Sequence, residues 1–211
     1  MTLRLGDEAP NFKAMTTEGE IDFHDWAGDS WVVFFSHPAD FTPVCTTEVG
    51  RVANLSEEFE QRNAKRIVLS VDPVDEHHKW VVDVEETQNT TMDYPIIADE
   101  DREIAHLYDM MHPKVDDTAT VRSVFIIDPD KKIRVMLTYP AAVGRNFDEI
   151  LRVLDALQLS DEYDIATPVD WRKGDRVVVK PSIPTEKARE RFGDVEELRP
   201  YLRLTPDPSA S

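Results

Sequence analysis

The segment Trp31–Phe35 (WVVFF) is short, continuously apolar and rich in β-formers, and it reads as a buried strand. The period then changes. Val49, Val52, Leu55 and Phe59 recur at three- and four-residue steps, marking one face of a helix that runs to about residue 61. Arg66–Val71 is a second apolar strand, and Val74, Trp80, Val81 and Val84 outline a second amphipathic helix. Tyr94–Asp99 is a short extended segment leading into a helix over Arg102–Tyr108. Val121–Asp128 and Ile133–Tyr139 form a hairpin across Pro129–Lys132. Asn146, with Glu149 three residues later, reads as a capping box opening a helix with a Phe147, Ile150, Leu151, Leu154 and Leu157 stripe. Upstream, residues 9–23 hold two short strands around Glu18-Gly19, and His24–Gly28 is a short helical connector. Strands alternating with helices, then a hairpin and a last helix, predict an α/β fold: a central mixed sheet flanked by helices.

Past residue 163 the chain becomes richer in proline, with Glu186–Phe192 its one short helical pattern. This stretch looks too thin to bury a core of its own. The expected division is therefore a domain over 1–162 and an extended C-terminal arm over 163–211, with the last six residues, PDPSAS, disordered. No apolar run approaches the roughly 18 residues of a membrane span. The N-terminal residues lack the apolar core of a signal peptide, and one cysteine cannot make an internal disulfide; the expected compartment is the cytoplasm.

Charge narrows the partners. The chain has 42 acidic and 24 basic residues, a net charge of −18, which argues against nucleic acid and membrane surfaces. The acids are spread along the chain and lysine is scarce, a composition that resembles proteins of salt-accumulating microbes. A general negative field opposes ionisation of a thiol, so any activation of the cysteine must come from groups close to it.

That cysteine, Cys45, falls in the turn between the first strand and its helix, within about the first helical turn, where unpaired N–H groups and the helix dipole favour a thiolate. A lone cysteine is commonly a small buried hydrophobe; Thr42, Thr46, Thr47 and Glu48 make this one's surroundings too polar for that reading. Pro38, Thr42 and Cys45 spell P-x-x-x-T-x-x-C, and the string SHPADFTPVCTTE resembles the one-cysteine branch of the peroxiredoxins. Residues 144–158 and 167–175 resemble the C-terminal part of the same branch, so the likeness covers nearly the whole chain.

The resemblance implies a thioredoxin-like fold and a thiol peroxidase acting on hydrogen peroxide and organic hydroperoxides. An ordinary thiol with pKa near 8.5 is roughly 3% ionised at pH 7, so full ionisation gains only about thirtyfold. The larger task is to stabilise the departing oxygen. Thr42 is placed to hold the peroxide beside the thiolate. Arg122 interrupts an apolar strand and aligns with the family's active-site arginine, with Glu48 as its orienting carboxylate. Pro38 would roof the pocket, while His37 and Arg145 are further candidates for substrate contact. No metal or cofactor is implied. The sulfenic acid formed would need an external thiol or thiol-protein reductant, and the family precedent is a homodimer or a ring of dimers (a decamer).

Two other activities are compatible with these residues. One is a peroxide-sensing holdase chaperone. The other is an acyl hydrolase using Ser30, His24 and Asp130, in a string (Gly28–Val32) that departs from its family pattern at Val32.

Overall fold

The computed structural model describes residues 3–210. The chain divides into two compact units, 1–147 and 148–211.

The first unit contains β1 (Lys13–Thr16), β2 (Gly19–Asp22), α1 (Phe23–Ala27), β3 (Trp31–Ser36), α2 (Pro43–Asn54), α3 (Ser56–Glu60) and β4 (Ala64–Ser70). It continues through α4 (Val74–Gln88), β5 (Ile96–Ala98), α5 (Glu103–Leu107), β6 (Arg122–Ile127) and β7 (Ile133–Tyr139). Its sheet is ordered β2-β1-β5-β4-β3-β6-β7. β3, β4 and β5 run parallel, while β6 and β7 extend the sheet antiparallel from β3. β3 is buried along its whole length, as its unbroken apolar run requires of a strand covered on both faces.

Alternation along β3 sends side chains to opposite faces. Phe34 joins an aromatic cluster with Phe12, Phe23, Tyr108 and Phe125, to which α1 and α5 contribute Ala27 and Ala105. Phe35 packs with Tyr94 and Phe147, and the Tyr94 hydroxyl donates to the Val49 carbonyl of α2 at 2.9 Å. α2 and α4 approach closely at Gly50, where an added methyl would collide with the stem of Gln88.

The single helix expected behind the cysteine is two. At Leu55 the backbone leaves helical geometry (φ −101°, ψ 17°), and its N–H turns to the Val52 carbonyl. This tight i−3 turn ends α2 and lets α3 start anew while both Leu55 and Phe59 stay buried. In α4 the buried stripe is His77, Trp80 and Val84, with Val81 only half-buried, so a histidine takes a core position that apolar periodicity passes over.

The second unit holds most of α6 (Phe147–Tyr163), with β8 (Ile165–Ala166), β9 (Val177–Val179), α7 (Thr185–Phe192), β10 (Glu196–Arg199) and β11 (Leu202–Thr205). Its strands form a second sheet, ordered β10-β11-β9-β8. Leu159, Ile165, Trp171 and Val177 make a small core, with Ala156, Tyr163 and Phe192 against it. Where the sequence reads as an arm without a core, the structure has this cluster. The helix ahead of residue 163 belongs to it because Ala156, Leu159 and Tyr163 pack on the same group. Of the six tail residues, Asp207 accepts from the Gly174 and Ser209 N–H groups and Pro208–Ala210 form a short 3-10 turn, while Ser211 lies outside the described residues.

Candidate active site

Cys45 is the third residue of α2, whose N-terminus follows directly from the loop after β3. Thr42 precedes the helix in extended conformation (φ −114°, ψ 144°) and Pro43 starts it, a position where a missing N–H costs nothing. The thiol is free and fully buried.

Facing it is the first residue of β6. Arg122 donates from Nη1 to Cys45 Sγ at 3.3 Å and to Glu48 Oε2 at 2.6 Å. Its other edge is tied to one backbone oxygen, the Ala141 carbonyl, by Nε (2.9 Å) and Nη2 (2.7 Å). Glu48 lies almost one turn beyond Cys45 on α2 and also receives Arg145. The Arg145 backbone N–H and Nε reach Oε1 (2.7 and 2.9 Å), and Nη2 reaches Oε2 (2.7 Å). Arg145 Nη1 donates to the Ser36 and Ser123 carbonyls, and its plane lies over Phe35 and Phe147. Burial pushes the Glu48 carboxyl up, but Arg145 and then Arg122 more than offset this, leaving it below the usual carboxylate range.

The loop before α2 carries Pro38, half-buried, and Thr42, whose hydroxyl donates to the Ala39 carbonyl at 2.9 Å. A hydroxyl that donates there keeps its lone pairs for an incoming O–H. His37 is fully buried, and neither ring nitrogen has a hydrogen-bond partner among the described residues. Its ring lies 4.9 Å from that of Trp80.

Burial is the main reason His37 titrates far below its ordinary 6.5, at about 4; Asp40 pulls it back up, while His77 pushes it further down. Between these values the unfolded chain binds a proton that the folded chain refuses, so stability falls as pH falls through this window. Urea unfolding should show a loss of about 2 kcal/mol between pH 7 and pH 5 from this group. A His37→Phe variant that keeps the same slope over that range would refute the assignment.

The sequence pattern assigns no site role to Asp40 or His77. Asp40 sits inside the cysteine motif. His77, three residues before Trp80 on the apolar stripe of α4, was the available signal. The hydrolase residues are engaged separately: Ser30 donates to Asn63 Oδ1 (3.1 Å), and His24 Nε2 donates to the Ala9 carbonyl (2.7 Å). Among the described residues, no cluster of His, Cys, Asp and Glu is arranged to hold a metal ion, and no helix is long and apolar enough to cross a membrane.

A single sulfur held against a guanidinium at a helix N-terminus, in a thioredoxin-like fold, is the working group of a cysteine peroxidase. Residues 5–136 match the AhpC/TSA family and residues 156–194 match the C-terminal domain of 1-Cys peroxiredoxin. The chain is 51% identical over 208 residues to the 1-Cys peroxiredoxin of Dictyostelium discoideum, covering 98% of this chain and 86% of that one. It is 50% identical to peroxiredoxin-6 of Rattus norvegicus, covering 98% of each. The solved yeast mitochondrial 1-Cys peroxiredoxin superposes with TM-score 0.92 at 50% identity, over 97% of this chain and 100% of that one. A cysteine-to-serine variant of peroxiredoxin 6 from Arenicola marina superposes with TM-score 0.93 at 47% identity, over 98% and 99%. The chain belongs to the AhpC/TSA family, in its one-cysteine peroxiredoxin branch, and it is a thiol peroxidase working through a cysteine sulfur.

Proposed function

We propose that Cys45 reduces hydrogen peroxide and small organic hydroperoxides with the following division of labour. The Cys45 thiolate attacks one peroxide oxygen; the S–O bond forms as the O–O bond breaks. The departing oxygen leaves as water or alcohol after taking a proton, and the sulfur becomes a sulfenic acid. Thr42 accepts from the peroxide O–H and holds it in line. Arg122 stabilises the thiolate and then the departing oxygen. Glu48 and Arg145 hold Arg122 in place. Pro38 limits water over the sulfur, and His37 is a further candidate for contact with the peroxide.

The observation that carries this reading is the 3.3 Å approach of Arg122 Nη1 to the sulfur. Charge supports it. Arg122, Arg145 and Glu48 together hold one net positive charge in a buried site, and a thiolate brings that to zero. The test is stopped-flow reaction of the reduced protein with one equivalent of hydrogen peroxide in high salt. Consumption should exceed that of free cysteine by orders of magnitude and vanish in Cys45→Ser. A wild-type rate equal to that of free cysteine would defeat it.

With one cysteine in the chain, the sulfenic acid must be resolved from outside. A first thiol attacks the sulfur, expelling water and leaving a mixed disulfide; a second thiol releases Cys45. The yeast mitochondrial relative is described as resolved via glutathione/thioredoxin systems, and we assign the same class of external thiol here. The compartment proposed is the cytoplasm, a reducing one in which a lone thiol stays reduced; one similar protein of yeast is mitochondrial.

We also propose a homodimer able to associate further into a ring, with residues 148–211 as its C-terminal extension. β7 lies at the edge of its sheet, with Val135 and Leu137 half-buried and its outer polar groups open to a second copy's strand. Leu137→Glu should convert the dimer to monomer in analytical ultracentrifugation; an unchanged mass would remove β7 from the contact.

A further inference from the structure

His77 lies outside the cysteine motif, on α4, yet its side chain is fully buried and both ring nitrogens face acceptors. Nε2 lies 3.2 Å from the Ile97 carbonyl, and Nδ1 lies 2.6 Å from Asp40 Oδ2. A carboxylate only accepts, so a hydrogen lies between Nδ1 and Asp40 at the shorter contact, while the Ile97 carbonyl faces Nε2 from the other side.

Asp40 belongs to the loop that carries Pro38 and Thr42. Its backbone N–H donates to Asp72 Oδ2 at 2.9 Å, and its second carboxylate oxygen stands 3.5 Å from His37 Nε2. One turn along α4 from His77, Trp80 lies against His37 and donates from Nε1 to Thr46 Oγ1 (3.1 Å), which itself donates to the Thr42 carbonyl (2.8 Å). α4 therefore grips the loop at both ends.

We propose that His77 is a positioning residue for the peroxidase reaction: by sharing a proton with Asp40 it fixes the loop from His37 to Thr42 and cancels the charge that would otherwise protonate His37. The charged and titratable groups around His37 come from four segments. Asp40 from its own loop and Asp72 from the segment after β4 favour its protonation. His77 from α4 and Arg145 from the segment before α6 oppose it. Removing His77 shifts that balance toward a charged ring drawn to Asp40, and the loop moves with it.

The inference rests on Cys45 and Thr42 as the reacting centre, so the wild-type peroxide rate is measured first; a failure there belongs to that assignment and not to His77. His77→Leu should slow oxidation of Cys45 by hydrogen peroxide roughly 10–100-fold, the scale of about a 1 Å misplacement. It should also turn His37 into an imidazolium at pH 7, read from its ring ¹⁵N shifts. His77→Asn keeps an N–H where Nδ1 stood but supplies no charge. It should restore the rate to within about threefold of wild type, a loss worth under 1 kcal/mol, while His37 still titrates between pH 5 and 8. A folded His77→Leu with unchanged rate and neutral His37 overturns the proposal. If that variant does not fold, His77→Asn decides: a His37 that stays neutral down to pH 5 overturns it equally.

Discussion

Arg122→Lys should slow the reaction of Cys45 with hydrogen peroxide by roughly 10²–10³-fold, the range seen when one donor to a developing oxyanion is lost. The guanidinium does three things from one plane. Nη1 faces the sulfur and Glu48, while Nε and Nη2 clamp the Ala141 carbonyl. A lysine keeps the charge, but an ammonium is a point donor on a flexible stem. It cannot hold the backbone fork and face the sulfur in a fixed direction together. Charge alone would leave the thiolate partly supported, so the loss should fall mainly on the step in which the O–O bond breaks. Stopped-flow rates with one equivalent of peroxide measure this directly. A variant within about threefold of wild type would mean that charge alone suffices and that the directed hydrogen bond contributes under 1 kcal/mol.

Glu48→Ala should cost about 3–5 kcal/mol of stability, the usual penalty for removing one partner from a buried ion cluster. The variant leaves Arg122 and Arg145 facing each other without the carboxylate that both now grip, at side-chain exposures of 3% and 0%. For a chain of this size that is roughly 6–20 °C in Tm. Acid should reproduce part of the effect in the unaltered protein. The Glu48 carboxyl titrates below its ordinary 4.5, so its contribution is complete above that pH and is lost as pH falls through the lower, folded value. Thermal unfolding between pH 7 and 3 reads both effects. A Glu48→Ala protein as stable as wild type at pH 7 would show that the two guanidiniums find other partners.

Much of the fold was legible because its signals are local. The unbroken apolar run of β3 marks a strand covered on both faces, and the hairpin of β6 and β7 is announced by two β-prone runs around Pro129–Lys132. The break at Leu55 was not legible, since Leu55 and Phe59 keep helical spacing across it. The small core of the second unit was not legible for a related reason. Its core is built from Trp171 and short strands against the end of α6, and such short elements carry no period of their own. Arg122 could be singled out as a charge within an apolar strand. Asp40 could not, because a buried charge and a solvated one are written alike, and His77 showed only in its place three residues before Trp80 on the apolar stripe.

Alone, the sequence determined the position of the reacting sulfur, its helix N-terminus with Thr42 three residues ahead, and the absence of an internal disulfide partner. These follow from covalent spacing and from the period of side chains along one segment. Only the tertiary structure decided what surrounds the sulfur. Arg122 and Arg145 stand 74 and 97 residues from Glu48, and His77 stands 37 from Asp40. Strand order and the packing of α4 against α2 bring these groups together. Their charges are stable in the interior only because each one meets another there.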